Sequence, residues 1–124
     1  MIEQTMSNQT VHRWYARPVF FVAELDRAIR FYVDVLGFEK GWHEGDGTGT
    51  VCQVNHGECE IILCEDGTRR DRARLYVELT ADGLADLRSQ FAEHHVSPTE
   101  KWWGSDTLQV YDPDGNELLF PLTE

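Results

Sequence analysis

Apolar positions along this chain recur at two spacings, and the alternation between them outlines a fold. Pro18-Val19-Phe20-Phe21-Val22 is a short β-type run led by proline, at a place where a strand can spare an N–H. Leu25, Ala28, Ile29, Tyr32, Val35 and Leu36 then fall at helical spacing, and Gly37 follows as a stop. Residues 50–54 and 58–64 predict two strands about the turn Asn55-His56-Gly57. The highly charged stretch 65–72 predicts a linker. Beyond it the plan returns. Residues 75–80 predict a strand, and 82–94 a helix with Leu84, Leu87 and Phe91 on one face. Residues 107–111 and 117–122 predict strands about the turn Asp112-Pro113-Asp114-Gly115-Asn116. The glycine-rich stretch 41–49 and the stretch 97–105 read as loops.

The two halves match residue by residue. Cys52-Gln53-Val54 corresponds to Leu108-Gln109-Val110 at an offset of 56, and Glu60-Ile61-Ile62-Leu63 to Glu117-Leu118-Leu119-Phe120 at 57. Ile29 and Val33 correspond to Leu87 and Phe91 at 58. Three matches in order, on matching elements, predict a duplicated α+β chain of two tandem β-α-β-β-β modules. Its layout is one domain over 1–124, with a polar arm at 1–15, a first module at 16–66 and a second at 73–124. In each module one set of alternating strand residues meets the helix and the other set faces away. If the sheets join edge to edge, those other faces line a trough, where the chemistry is sought.

Composition narrows the partners. The 124 residues suffice for one core. A net charge of −11, from 22 acids against 11 bases, disfavours nucleic acid and favours a cationic guest. No apolar run has the length of a membrane span, and residues 1–16 lack the pattern of a secretory signal, so the expected compartment is the cytoplasm. There Cys52, Cys59 and Cys64 read as free thiols. No Ser-His-Asp or Cys-His set emerges from the spacings.

Trp42, Trp102 and Trp103 fall in polar, glycine-bearing stretches. Rigid aromatic faces there can stack on flat heterocycles and attract cations. Trp42 and Trp103 are read as ligand contacts, Trp102 as a plug at the sheet end. Glu44, Asp46, Glu60, Glu78, Asp106 and Glu117 are candidates for an acidic groove, with Glu60 and Glu117 related by the repeat. Tyr76 and Arg74 are placed on the trough face.

The stretches AELDRAIRFYVDVLGF and LQVYDPDGNELLF resemble the vicinal oxygen chelate superfamily, which spans glyoxalase I, extradiol dioxygenases, fosfomycin-resistance enzymes and bleomycin-resistance proteins. The proline-led first strand, Leu36-Gly37-Phe38 with Trp42 after it, and Trp103-Gly104 ahead of the DPDGN turn bring it closest to the bleomycin-resistance proteins. The resemblance implies curved, mixed, mostly antiparallel sheets and a homodimer that exchanges N-terminal strands. It also implies a metal quartet in the enzymes, one side chain on each of four strands. Carried over, those positions are Arg17, Ile62, Tyr76 and Leu119, none of them an ordinary metal ligand. A two-residue shift recovers Glu60, Glu78 and Glu117.

The expected function is therefore metal-independent and cofactor-free binding of an aromatic, cationic small molecule such as a glycopeptide antibiotic. Its expected contacts are Trp42, Trp103, Glu44, Glu60, Tyr76, Glu78 and Glu117, with no catalytic residue. The alternative is a divalent-metal-dependent lyase, isomerase or dioxygenase on the carboxylate set.

Overall fold

The computed structural model describes residues 14–97, 99–102 and 106–122, the side chains of 99–102 and 106 excepted. In the first module Val19–Val22 forms β1, whose Phe20 and Val22 are buried while Val19 and Phe21 turn the other way. Leu25–Arg30 forms α1, which widens into a π turn over Phe31–Val35. The turn closes through Leu36 N–H donating to the Phe31 carbonyl and Phe38 N–H to the Tyr32 carbonyl. Gly37 makes this possible with a φ of 82°, the left-handed angle that suits glycine at a helix end. Strands β2 (Glu39–His43), β3 (Val51–His56) and β4 (Cys59–Glu65) complete the module.

The second module repeats it as β5 (Arg74–Tyr76), α2 (Ala81–Glu93), β6 (Thr99–Trp102), β7 (Asp106–Tyr111) and β8 (Glu117–Pro121). Thr80 caps α2 by accepting from Gly83 N–H at 3.1 Å. The sheets run β1-β4-β3-β2 and β5-β8-β7-β6, with the first strand of each parallel to the last and the other pairs antiparallel. The architecture is thus α+β, two β-α-β-β-β units in tandem. The one-residue drift in the repeat lies in the longer β7–β8 turn.

Three expectations change. Strands β2 and β6 form where loops were predicted. Both are sheet edges, and β2 (Glu-Lys-Gly-Trp-His) is exposed along most of its length, so no apolar alternation announces it. The strand predicted over 75–80 is shorter, ending at Tyr76. On the helices the buried positions are Ala28 and Tyr32 against Leu87 and Phe91, an offset of 59 rather than 58, because the approach to α2 is longer.

The core is one continuous cluster to which both modules contribute, from Phe20, Tyr32 and Leu63 to Leu87, Leu118 and Phe120. Its polar clasp is the DPDGN turn. Asp112, 4 % exposed, accepts from the Tyr32 hydroxyl and Asn116 Nδ2 at one oxygen, and from the Asp114 and Asn116 amides at the other, all at 2.8–2.9 Å. Asp114 reaches back to Ala23 N–H and Arg27, and Asn116 Nδ2 to the Phe21 carbonyl. The motif therefore binds module to module. No ladder joins the two sheets edge to edge among the described residues.

Candidate functional site

Alternation along the strands leaves each sheet with a second face, away from the core. In the first sheet it carries Gln53 and Asn55 from β3, Glu60 and Ile62 from β4, and Val19 from β1. Gln53, 6 % exposed, is its hub. Its Oε1 accepts from Arg17 Nη1 at 2.6 Å and from Trp42 Nε1 at 3.0 Å. Its Nε2 donates to Asn55 Oδ1 at 2.8 Å and to Glu60 at 3.4 Å, and Glu60 also accepts from the Tyr15 hydroxyl. Trp42 thus stands on β2 rather than in a loop. The residue is 45 % exposed while its N–H is anchored.

The second sheet presents the same layout. Arg74 lies level with Glu117, and Tyr76 with Leu119, which in turn opposes Gln109. Arg74 Nε donates to Glu117 Oε1 at 2.5 Å. Glu117, Gln109 and Thr107 are buried, whereas Tyr76 and Tyr111 are 44 % and 53 % exposed. Arg17, Gln53 and Glu60 therefore have counterparts in Arg74, Gln109 and Glu117.

Of the residues singled out from sequence, Trp42 and Glu60 come together on the first sheet, and Tyr76 and Glu117 on the second. Glu44 is exposed and accepts from Thr50 N–H at 3.1 Å, closing the turn Glu44–Gly47 rather than joining Gln53. Glu78 is exposed, beyond the end of β5. Trp103 lies outside the described residues. Sequence reasoning passed over Gln53, Gln109 and Asn55. The signal is in the sequence, since one glutamine between two apolar residues recurs in both halves.

The residues do not fit a divalent metal. The register places Arg17 two residues before Val19, which pairs with Ile62, so the position level with Arg17 is Glu60. The corresponding pair in the other module is Arg74 and Glu117. The set Arg17, Ile62, Tyr76 and Leu119 mixes two levels of the sheets. The level that includes Arg17 contains two guanidiniums, which donate only and cannot ligate a cation, and the level of Ile62, Tyr76 and Leu119 has Val19 on its first strand. No cluster of three or more metal-ligating side chains occurs among the described residues.

A second space lies on the core side, between the modules. It is an apolar cavity of about 480 Å³ walled by Leu36, Phe38, Cys59, Leu79, Leu87 and Phe120. Burial pushes the Cys59 thiol above its ordinary pKa, which leaves it a poor nucleophile.

The family model for the glyoxalase/bleomycin resistance protein/dioxygenase superfamily matches residues 14–120. The chain belongs to that superfamily. No curated protein sequence matches it. The fold is similar to that of the bleomycin-binding protein of bleomycin-producing Streptomyces verticillus, solved with copper(II)-bleomycin (20% identity, 90% of this chain and 98% of that one, TM-score 0.65). It is similar also to the fosfomycin resistance protein FosX of Listeria monocytogenes, solved with Mn(II) and a dihydroxypropylphosphonic acid (12% identity, 90% and 92% covered, TM-score 0.70). A third likeness is the lactoylglutathione lyase of Agrobacterium tumefaciens (16% identity, 89% and 94% covered, TM-score 0.66). At such identities these likenesses establish the fold. No helix among the described residues is long and apolar enough to cross a membrane.

Proposed function

We propose that this superfamily member is a metal-independent binding protein that sequesters an aromatic small molecule, in the manner of glycopeptide-antibiotic resistance. The observation that carries the reading is Trp42, an aromatic face left open to solvent while its indole N–H is tied to a buried glutamine. A ring held in this way offers a flat guest a stacking surface at little cost in side-chain entropy. The guanidiniums of Arg17 on the first sheet and Arg74 on the second, each at a position carried over to or level with the metal quartet, weigh against a metal enzyme. The net charge of −11 enriches cationic guests near the chain, while Arg17 and Arg74 offset Glu60 and Glu117 on the sheets themselves. Because no ladder joins the two faces among the described residues, a closed site calls for a second copy, and we take the working form to be a cytoplasmic homodimer. The free thiols Cys52, Cys59 and Cys64 agree with a reducing compartment. Protection follows from mass action, without covalent chemistry.

The likeness to the Streptomyces verticillus protein makes bleomycin the first probe. Titration followed by tryptophan fluorescence should give saturable binding. Trp42→Ala should weaken it about tenfold or more while moving Tm by no more than a degree or two, as befits a half-exposed side chain. A melt that falls as steeply as the affinity would return Trp42 to the core and end the reading. A guest in the core-side cavity would ignore Trp42 and respond to Cys59 instead. Thermal-shift assays with Zn, Ni, Mn and Fe(II) should show no stabilisation. One tightly held metal per chain would favour the enzyme alternative.

A further inference from the structure

The two modules share one layout and differ in how it is completed. On the first sheet the network is closed: Gln53 uses both ends of its amide, on Arg17 and Trp42 at one end and on Asn55 and Glu60 at the other. On the second sheet it is open. Gln109, 5 % exposed, has a buried Nε2 with no partner among the described residues, and Glu117, 6 % exposed, has a buried Oε2 in the same state. The cause lies partly in one substitution between the repeats. Tyr111 stands where the first module has Asn55, and a phenol hydroxyl far out along its ring does not replace a short amide acceptor beside the glutamine. The alternation of β7 and β8 puts both orphaned atoms on one face, on adjacent strands, diagonal to each other across Leu119.

Buried polar atoms without partners destabilise a fold, so an unpaired donor and an unpaired acceptor on one sheet face, diagonal across adjacent strands, need a reason. We infer that Gln109 and Glu117 form a specificity-determining subsite for an uncharged group that offers both a donor and an acceptor, a carboxamide being the simplest. This rests on the reading of the sheet faces as a ligand site. The charge balance selects the guest group. Arg74 already engages Glu117 Oε1, so the pair is neutral overall. A carboxylate would meet Glu117 Oε2 head-on, whereas a carboxamide gives its N–H to that oxygen and accepts from Gln109 Nε2. Tyr76 and Tyr111, exposed on the same face, flank the position.

Two measurements on the full chain test this. The first needs no ligand. Gln109→Met keeps the side-chain shape and removes the orphaned amide, so it should raise Tm of the empty protein by about 4 °C. A fall of similar size would mean that a structural partner or a trapped water satisfies Gln109, and would overturn the proposal. The second follows the Gln109 side-chain amide by NMR during titration with benzamide and with benzoate at millimolar concentration. Benzamide should shift that resonance and benzoate should leave it in place. Equal shifts, or none with benzamide, would remove the subsite. If bleomycin still quenches Trp42 fluorescence in that case, the binding reading stands and only the subsite falls; if it does not, both fall.

Discussion

At the scale of single residues, position on a sheet face separates side chains that look alike in sequence. Asp112 and Glu44 are both acids in loops, yet Asp112 accepts four hydrogen bonds inside the molecule and Glu44 closes a surface turn. Asp112→Ala should therefore cost about 3–5 kcal/mol in urea denaturation, because it removes the acceptor of the Tyr32 hydroxyl, of one Asn116 Nδ2 hydrogen and of two backbone N–H groups. Tyr32→Phe removes one charge-assisted bond and should cost about 2 kcal/mol. Tyr32 also carries a pH signature. Burial first, and the Asp112 carboxylate second, hold its phenol well above the ordinary value. The unfolded chain releases that proton near pH 10 while the folded chain keeps it. The unfolded state then binds fewer protons, and stability falls as pH rises past that point. Tyr32→Phe should lose less stability than the parent between about pH 10 and 11, measured as the change in urea midpoint. Parallel curves would show that the phenol is not the titrating group.

At the scale of elements, the central strands were legible and the edges were not. β3 and β4 set a buried apolar row against a second row, and β8 is a short apolar run buried along its length, both signals visible in the letters. β2 carries Glu39, Lys40, Gly41 and Trp42 with nothing to bury, and only its ladder to β3 makes it a strand. The same edge places Trp42. Gly41 lets β2 lie close to β3, since a Cβ there would come within 2.9 Å of Asn55 Nδ2 and 3.1 Å of the Gln53 carbonyl. Gly41→Val should push the edge outward and carry Trp42 off Gln53. The expected result is several-fold weaker bleomycin binding with a Tm loss of only a few degrees. Unchanged affinity would mean that the platform does not depend on the edge.

At the scale of the whole molecule, both sheets lean on one core and neither sheet's other face is closed by its partner module. Trp14, Tyr15, Val19, Tyr76 and Tyr111 remain exposed, more large apolar surface than scattered positions require. A homodimer covering these residues should appear in sedimentation, with a Tm that rises with protein concentration. Tyr76→Glu should shift it towards monomer. A concentration-independent monomer that still binds bleomycin would show that one chain suffices. The letters alone were enough for the duplication, the β-α-β-β-β order and the superfamily, because apolar periodicity and turn residues such as Asp112-Pro113-Asp114-Gly115-Asn116 act locally and survive without knowledge of neighbours. Trp42, Glu60 and Glu117, singled out from the letters, lie on the faces of the sheets turned away from the core. Only the tertiary structure decided that Arg17 lies level with Glu60 and Arg74 with Glu117, that Gln53 is satisfied while Gln109 Nε2 has no partner among the described residues, and that no ladder joins the sheets among those residues. Register, pairing and burial arise between segments 40 to 60 residues apart, and a one-residue slip in any of them exchanges one face of a strand for the other.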